Sequence, residues 1–455
     1  MQPNTTTGIR ITIENIGPFE QASLEIKPLT IIIGKNSVGK SILAYLTWVL
    51  IAATPDFDKL AEITTEHGAA ELADEILERI KHGENPESEF KRLIEIYIEA
   101  LPTAIAPSIK NAIEKTFMTK HWELIHEGTD RATITIEGPK ATLEITLDRN
   151  DVKATYRKSY TEFTNELTIN VPEPKRLAIT HNGEIVFSKY VMSTYDMVEA
   201  LAVTLVNYVM RAFGPFFGIE AALLPDSRAG ISRTLLKPYL TPTLAEGVSN
   251  VDRQFIGLYY RLAEYMDKGL IDLDLAKPLL EELGLTPEVT LEGGTYTIHA
   301  RMWTGKRLHI FQTPSGIRES LTVALALASR EEPHIVIIEE PEAHLHPRAQ
   351  RLMARLIAKS INKYGKTIII TTHSDYILYT INNLITLSQN PTKAKELNLE
   401  ETETINPGKV TAYLIKAQGT KAIIERLEVG PEGIPEEEFA KIAEELAEER
   451  AKILT

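Results

Sequence analysis

The chain has 455 residues, 43% of them apolar and 25% charged, and a net charge of −14. At ~100–200 residues per domain that length predicts two to three domains, or one domain with a large insertion. The negative balance excludes a protein that coats duplex DNA through its overall field, so any nucleic-acid contact has to come from a local patch. The absence of cysteine excludes disulfides, thiolate zinc sites, iron–sulfur clusters and cysteine nucleophiles.

The opening MQPNTTTGIR is too polar for a signal peptide. RITIENI and SLEIKPLTIIIG then predict three short strands, with Ile11, Ile13 and Ile16 alternating in the first. The run Leu29 to Ile33 is continuous and β-branched, as in a strand covered on both faces of a parallel sheet. It leads through GKNSVGKS into the apolar helix ILAYLTWVLIA. From about Pro55 to Trp122 the pattern is helical, with Asn85-Pro86 and Leu101-Pro102 expected to break it into separate helices. Between Ala132 and Ser188 it turns to strand alternation, with a hairpin at Asn182-Gly183. A helical run from Met192 to Arg211 follows. The long apolar stretch there is interrupted by Arg211 and Gly214-Pro215, so it reads as a buried helix and a strand and not as a membrane span. The cytoplasm is the default location, with no membrane contact expected.

A helix over Asn250 to Asp267 and short strands in VTLEGGTYTIHARM and KRLHIF lead to a regular alternation. This has a helix at Ile317–Arg330, a strand at Ile335–Glu339, a helix at Arg348–Lys363, a strand at Thr367–Thr372 and a helix at Asp375–Leu384. The hairpin VTAYLIKAQGTKAIIERL and an acidic helix finish the pattern. The expected fold is an α/β P-loop NTPase with a mostly parallel sheet, split by a large helical and β-rich insertion. Residues 1–54 form its first part with the P-loop. Residues 55–311 are the insertion, with some strands returning to the core. Residues 312–455 form its second part.

Gly34, Lys35, Asn36, Ser37, Val38, Gly39, Lys40 and Ser41 match G-x-x-x-x-G-K-[ST] at every required position, between a strand and a helix. Glycines let consecutive backbone N–H groups wrap a phosphate; Lys40 adds a point charge, Ser41 a hydroxyl for Mg²⁺, and the helix its N-terminal field. The buried strand IVII ends in Glu339-Glu340. Side chains alternate along a strand, so one carboxylate can face a metal and its neighbour a γ-phosphate. This assigns Glu339 to Mg²⁺ and Glu340 to the attacking water as catalytic base. The nearby His344-x-His346 also raises a zinc reading, without the H-E-x-x-H spacing that would support it. Ser315-Gly316 opens a helix and can form an anion site, and His373 stands at the tip of a parallel strand, where such sheets put their ligands.

The segments IIIGKNSVGKS, TPSGIRES, IVIIEEPEAHLHP and IIITTHSD, with LLPDSRAGI, resemble the ATP-binding-cassette class of P-loop ATPases. Within it they resemble the branch shared by SMC-like, RecF-like and overcoming-lysogenization-defect (OLD) ATPases. The resemblance implies ATP and Mg²⁺ as cofactors and an ATP-sandwiched homodimer. In it, Ser315 and Gly316 would contact the γ-phosphate held by the opposite subunit, His373 would act as the switch histidine, and Pro341 to His346 would meet its counterpart across the dimer. The sequence departs from the pattern in SGIRE for SGGQ and in Glu339 for aspartate. Gln254 and Gln312 are the candidates for the glutamine that follows the P-loop helix in transporters. Arg228 either reaches a phosphate or holds its own turn. The segment after His373 is short for the Toprim nuclease domain of complete OLD proteins.

Four functions compete. The first is an ATP-hydrolysing dimeric switch in DNA repair or in defence against mobile elements, with DNA or a partner nuclease. The second is an ATP-controlled module that binds a protein partner with negligible turnover. A transporter ATPase is opposed by the large insertion and the altered signature, and a nuclease by the lack of a carboxylate cluster outside the Glu339 region.

Overall fold

The computed structural model describes residues 8–139, 141–156, 167–173, 176–181, 184–190, 193, 221–228, 230–231, 249–436, 445 and 448–453. The expected helix over Met192–Arg211, the Asn182-Gly183 turn and most of the acidic final helix lie outside these residues.

In chain order the strands β1 (Ile9–Ile16), β2 (Phe19–Ile26) and β3 (Leu29–Gly34) precede α1 (Lys40–Ala52). Helices α2 (Phe57–Glu66), α3 (Ala69–Lys81) and α4 (Glu87–Phe117) follow. Then come β4 (Arg131–Glu137), β5 (Thr142–Asp148), β6 (Val152–Tyr156), β7 (Leu167–Glu173), β8 (Arg176–His181), β9 (Glu184–Tyr190) and β10 (Ala221–Leu224). Helices α5 (Asn250–Asp267) and α6 (Leu273–Glu282) lead to β11 (Leu285–Glu292), β12 (Thr295–Met302) and β13 (Arg307–His309). The remainder is α7 (Ser315–Ala328), β14 (Ile335–Glu339), α8 (Pro347–Tyr364), β15 (Thr367–Thr372), α9 (Asp375–Ser388), α10 (Pro391–Glu396), β16 (Val410–Gln418) and β17 (Lys421–Leu427).

The chain divides into two compact units. One comprises Glu25–Trp48 and Glu220–Thr455, with Met1–Gln2; the other comprises Pro3–Leu24 and Val49–Ile219. The division therefore falls elsewhere than at 54/55 and 311/312. Helices α5 and α6 and the β11–β13 sheet, expected in the insertion, belong to the unit that carries the P-loop.

That unit is built on strands in the order β10-β14-β15-β3-β16-β17. Neighbours pair in parallel from β10 to β16, with Leu224 opposite Ile338, Glu339 opposite Thr371 and Thr372 opposite Ile33. Every residue of β3, β14 and β15 is buried, as their unbroken β-branched sequences require of strands covered on both faces. Helix α7 is buried from Ile317 to Ala328, and its SLTVALALA sequence has no polar stripe to turn toward water. Helix α8 begins at Pro347 behind an N-capping His346 and stops at Gly365, whose φ of 65° suits glycine. The parallel register brings the ends of β3, β10, β14 and β15 together at one edge, where the functional side chains stand.

In the second unit β1 pairs antiparallel with β4, β4 with β5 and β5 with β6, while β7–β9 form a separate sheet. Helices α2 and α3 pack on α4. The break expected at Leu101-Pro102 does not occur: α4 runs on through Pro102 and Pro107. Each proline removes one intrahelical hydrogen bond, at ~3 kcal/mol in a helix interior. Tyr97, Ile98, Leu101, Ala104 and Ile105 are buried along the same stretch. At ~1.5–3 kcal/mol for a large apolar side chain, that packing outweighs the loss.

Candidate functional site

The loop between β3 and α1 is shaped by its glycines. A Cβ on Gly34 would lie 2.7 Å from the Ile415 carbonyl oxygen of β16. Gly39 has φ 102° and Ser37 φ 63°, backbone conformations that side chains disfavour. Lys35, Asn36 and Ser37 are exposed. Lys40 folds back over the loop, and its Nζ donates to the carbonyls of Gly34 and Lys35, each at 2.8 Å. Burial lowers the Lys40 pKa, and the carboxylates of Glu340, Glu342 and Glu339 partly offset this.

Glu339 ends β14 and is 2% exposed. Its carboxylate accepts from the Asp226 backbone N–H at 3.3 Å and from the hydroxyls of Ser41 and Tyr45. Burial raises its pKa above the usual carboxylate range, and Asp226 adds like charge. Burial and Glu339 together raise Tyr45. Ser41 and Glu339 are thus brought together, at the end of α1 beside Lys40. Their oxygens form a hard, anionic pair of the kind that holds Mg²⁺ with several waters. Their fit rests on a charged carboxylate held in a buried position that disfavours charge. A bound cation would relieve that conflict.

Glu340 is positioned differently from the expected alternation. The strand ends at Glu339, and Glu340 takes φ 45°, held by its N–H donating to the Thr371 carbonyl at 2.9 Å. The left-handed step turns its side chain toward β15, where Oε1 lies 3.4 Å from Nδ1 of His373. Both side chains remain partly open to solvent, 30% and 44% exposed.

Glu342 departs from the expectation of a dimer-facing residue. It is 6% exposed, and its Oε1 accepts from Thr372 Oγ1 at 2.7 Å and from the His373 N–H at 3.0 Å. It fastens the loop after β14 to the end of β15 and so fixes the backbone that carries His373. Next to it a cavity of about 520 Å³ is lined by Glu340, Glu342, His344, Gln350, His373 and Asp375, among others. Gly316 at the start of α7 touches this loop, since a Cβ there would lie 2.7 Å from the His344 carbonyl oxygen. Ser315 stands beside it, partly exposed, at the first turn of the helix.

Arg228 is completely buried and makes its contacts with protein groups at the strand ends: the carbonyls of Leu224, Pro225, Glu339 and Glu340, and Glu319. Gln254 accepts from the Leu223 N–H at 3.0 Å, and Gln312 caps a short 3₁₀ turn through the His309 N–H. Both glutamines are thereby used in backbone support. Among the described residues no group of three or more His, Cys, Asp or Glu side chains is arranged to hold a metal, so the zinc reading of His344 and His346 finds no support there. Sequence reasoning missed Tyr45, Asp226 and the role of Glu342. Tyr45 is four residues from Ser41 and so shares its helix face. Asp226 follows β10, whose parallel register with β14 puts it level with the Glu339 end of that strand.

Residues 259–378 match the family described as AAA ATPase domain, and residues 10–173 that described as AAA domain. The chain is 27% identical over 121 residues to the methionine import ATP-binding protein MetN of Protochlamydia amoebophila. That match covers 27% of this chain and 35% of MetN, so the chain spans about a third of the length of the curated relative it matches. Similar solved structures include the Smc head domain with an extended coiled coil bound to the C-terminal domain of ScpA, from Pyrococcus furiosus. It has a TM-score of 0.45 at 11% identity, over 97% of this chain and 100% of that one. The SMC head domain of Thermotoga maritima has a TM-score of 0.37 at 11% identity, over 93% and 99% of the two chains. Two segments of the chain are thus similar to AAA-type ATPase domains. Among the described residues no helix is long and apolar enough to cross a membrane.

Proposed function

We propose that this chain is a Mg²⁺-dependent ATP-binding and ATP-hydrolysing switch that closes into an ATP-sandwiched homodimer. The observation that carries this reading is the buried Glu339 carboxylate hydrogen-bonded to Ser41 beside Lys40, with Glu340 turned against His373.

In this reading the Gly34–Ser41 backbone and Lys40 bind the triphosphate, Lys40 exchanging its two loop carbonyls for phosphate oxygens. Ser41 and Glu339 would hold Mg²⁺, which would supply charge neutralisation to the phosphates. Glu340 accepts the proton of the attacking water, and His373 orients that carboxylate and senses the γ-phosphate. Glu342 keeps His373 in place from below. Ser315 and Gly316, open at the start of α7, offer a hydroxyl and free helix N–H groups to the nucleotide of the opposite subunit. Binding closes the dimer and hydrolysis opens it.

The switch acts in DNA repair or in defence against mobile elements, through a local DNA-binding patch or a partner nuclease. The second reading, an ATP-controlled protein-binding module, shares the dimer and lacks turnover.

The test compares the wild type with Glu340→Gln, measuring ATP turnover with and without DNA, and solution mass with and without MgATP. The wild type should turn over ATP, and the variant should lose turnover yet run as a dimer with MgATP. A wild type that dimerises without turnover selects the binding module. A variant that stays monomeric at saturating MgATP removes the sandwich.

A further inference from the structure

Arg228 is the largest completely buried side chain in the described residues, and it sits where three elements meet. Its Nη1 donates to the carbonyls of Glu339 at 2.6 Å, Pro225 at 2.7 Å and Leu224 at 3.2 Å; its Nη2 donates to that of Glu340 at 3.1 Å. Its Nε donates to the Glu319 carbonyl at 3.2 Å, and the same nitrogen lies 3.1 Å from the Glu319 carboxylate. Glu319 is one turn along α7 from Ser315 and Gly316. Glu339 ends β14, and Glu340 follows it.

A packed core does not need such a group, because apolar residues of the same volume fill space without the cost of removing an ion from water. A guanidinium offers five donors in a fixed plane. Here they are spent on carbonyls of two strand ends and on one turn of a helix. Displacement of any one of these elements would leave a buried charge with unmet donors. The carbonyls of Glu339 and Glu340 are one backbone unit from the side chains that face the nucleotide.

We propose that Arg228 is a positioning residue that locks the start of α7 to the tip of β14. This rests on the function proposed above, and adds to it a rigid connection between two half-sites. In a sandwich dimer the start of α7 serves the opposite subunit's nucleotide, while Glu340 serves its own. Arg228 with Glu319 therefore ties the two nucleotides through each chain: a shift of α7 on meeting the opposite triphosphate is carried to the backbone of Glu339 and Glu340.

Arg228→Lys, Glu319→Gln and the double variant test this. Lysine keeps the charge and loses the fork; glutamine keeps the shape of Glu319 and loses its charge. Each single variant should lower kcat by about tenfold or more, with KM for ATP within about threefold, as expected when a site is misplaced and not emptied. The double variant should be no slower than the worse single one, because both break the same lock. Hydrogen exchange read by mass spectrometry should rise in Glu319→Gln both at Gly316–Ser320 and at Glu340–Ala343, although Glu319 lies on α7. Additive losses, an unchanged kcat, or exchange that rises only at α7 would each overturn the lock. If Arg228→Lys fails to fold, Glu319→Gln alone carries the kinetic split and the exchange pattern. If the wild type proves not to hydrolyse ATP, the proposed function fails, and the exchange arm still decides whether the lock exists.

Discussion

A carboxylate that is 2% exposed and that the proposed function requires in its charged form, as it does Glu339, stands under two opposed demands. Burial raises its pKa, so the folded state holds the proton more tightly than the unfolded one. The stability it contributes is complete below the ordinary carboxylate pKa and is lost as pH rises through the raised folded value. Above that raised value, without a cation, the charge is a burden. Glu339→Gln should therefore melt above the wild type at pH 7 without Mg²⁺, the difference closing as pH falls below the ordinary carboxylate value, while ATP turnover is lost. Calorimetry across pH, beside a phosphate-release assay, checks both. Glu342 accepts two hydrogen bonds that place His373. Glu342→Ala should leave ATP affinity within about threefold and cut kcat roughly 10- to 100-fold, measurable by nucleotide titration and single-turnover kinetics. The two residues also differ in legibility. Glu339 was readable because a buried β-branched run ends on it. Glu342 lies in the Pro341–His346 loop that the resemblance turns toward a second subunit, and only the neighbouring strand's Thr372 and His373 show that it faces inward.

Among the elements, β3, β14 and β15 were the most legible, their ends falling at or next to the expected residues, because unbroken Ile and Val runs fit only a strand covered on both sides. Helix α4 was less so, since its prolines signal a break locally and the packing that overrides them comes from β6, α2 and α3. The left-handed Glu340 carried no signal either, as its conformation is set by the Thr371 carbonyl on another strand. Tight contact between elements gives its own test: Gly34→Ala would press a methyl group against the Ile415 carbonyl at 2.7 Å. The expected loss is about 2–3 kcal/mol of unfolding free energy together with ATP binding, read by denaturant titration and nucleotide affinity. The 3₁₀ turn before α7 supplies a pH test. Its cap, His309, is lowered to about 4, chiefly by burial and then by His299. A base with a depressed pKa keeps its stabilising effect above the unfolded value of 6.5 and loses it as pH falls toward 4. The denaturation midpoint should drop between pH 6.5 and 4 more steeply in the wild type than in His309→Gln.

At the scale of the whole molecule, the sequence pattern revealed that a nucleotide-binding α/β core is interrupted, but not where. The interruption begins inside α1 and ends just before β10, because Trp48 still packs with the core, its Nε1 donating to the Ala221 carbonyl at 3.1 Å. Composition cannot show this, since helix-rich and strand-rich stretches occur on both sides of each boundary. The pairing of β3 with β16 has a further consequence, and it concerns time. The phosphate loop leans on Ile415, far along the chain from Gly34. At a synthesis rate of ~5–20 residues per second, roughly 20–80 s separate the two residues' appearance on the ribosome. Through that interval the loop has its sequence but lacks the strand that braces it, so nascent chains stalled before Val410 should not be retained on immobilised ATP, and those released after Leu427 should be.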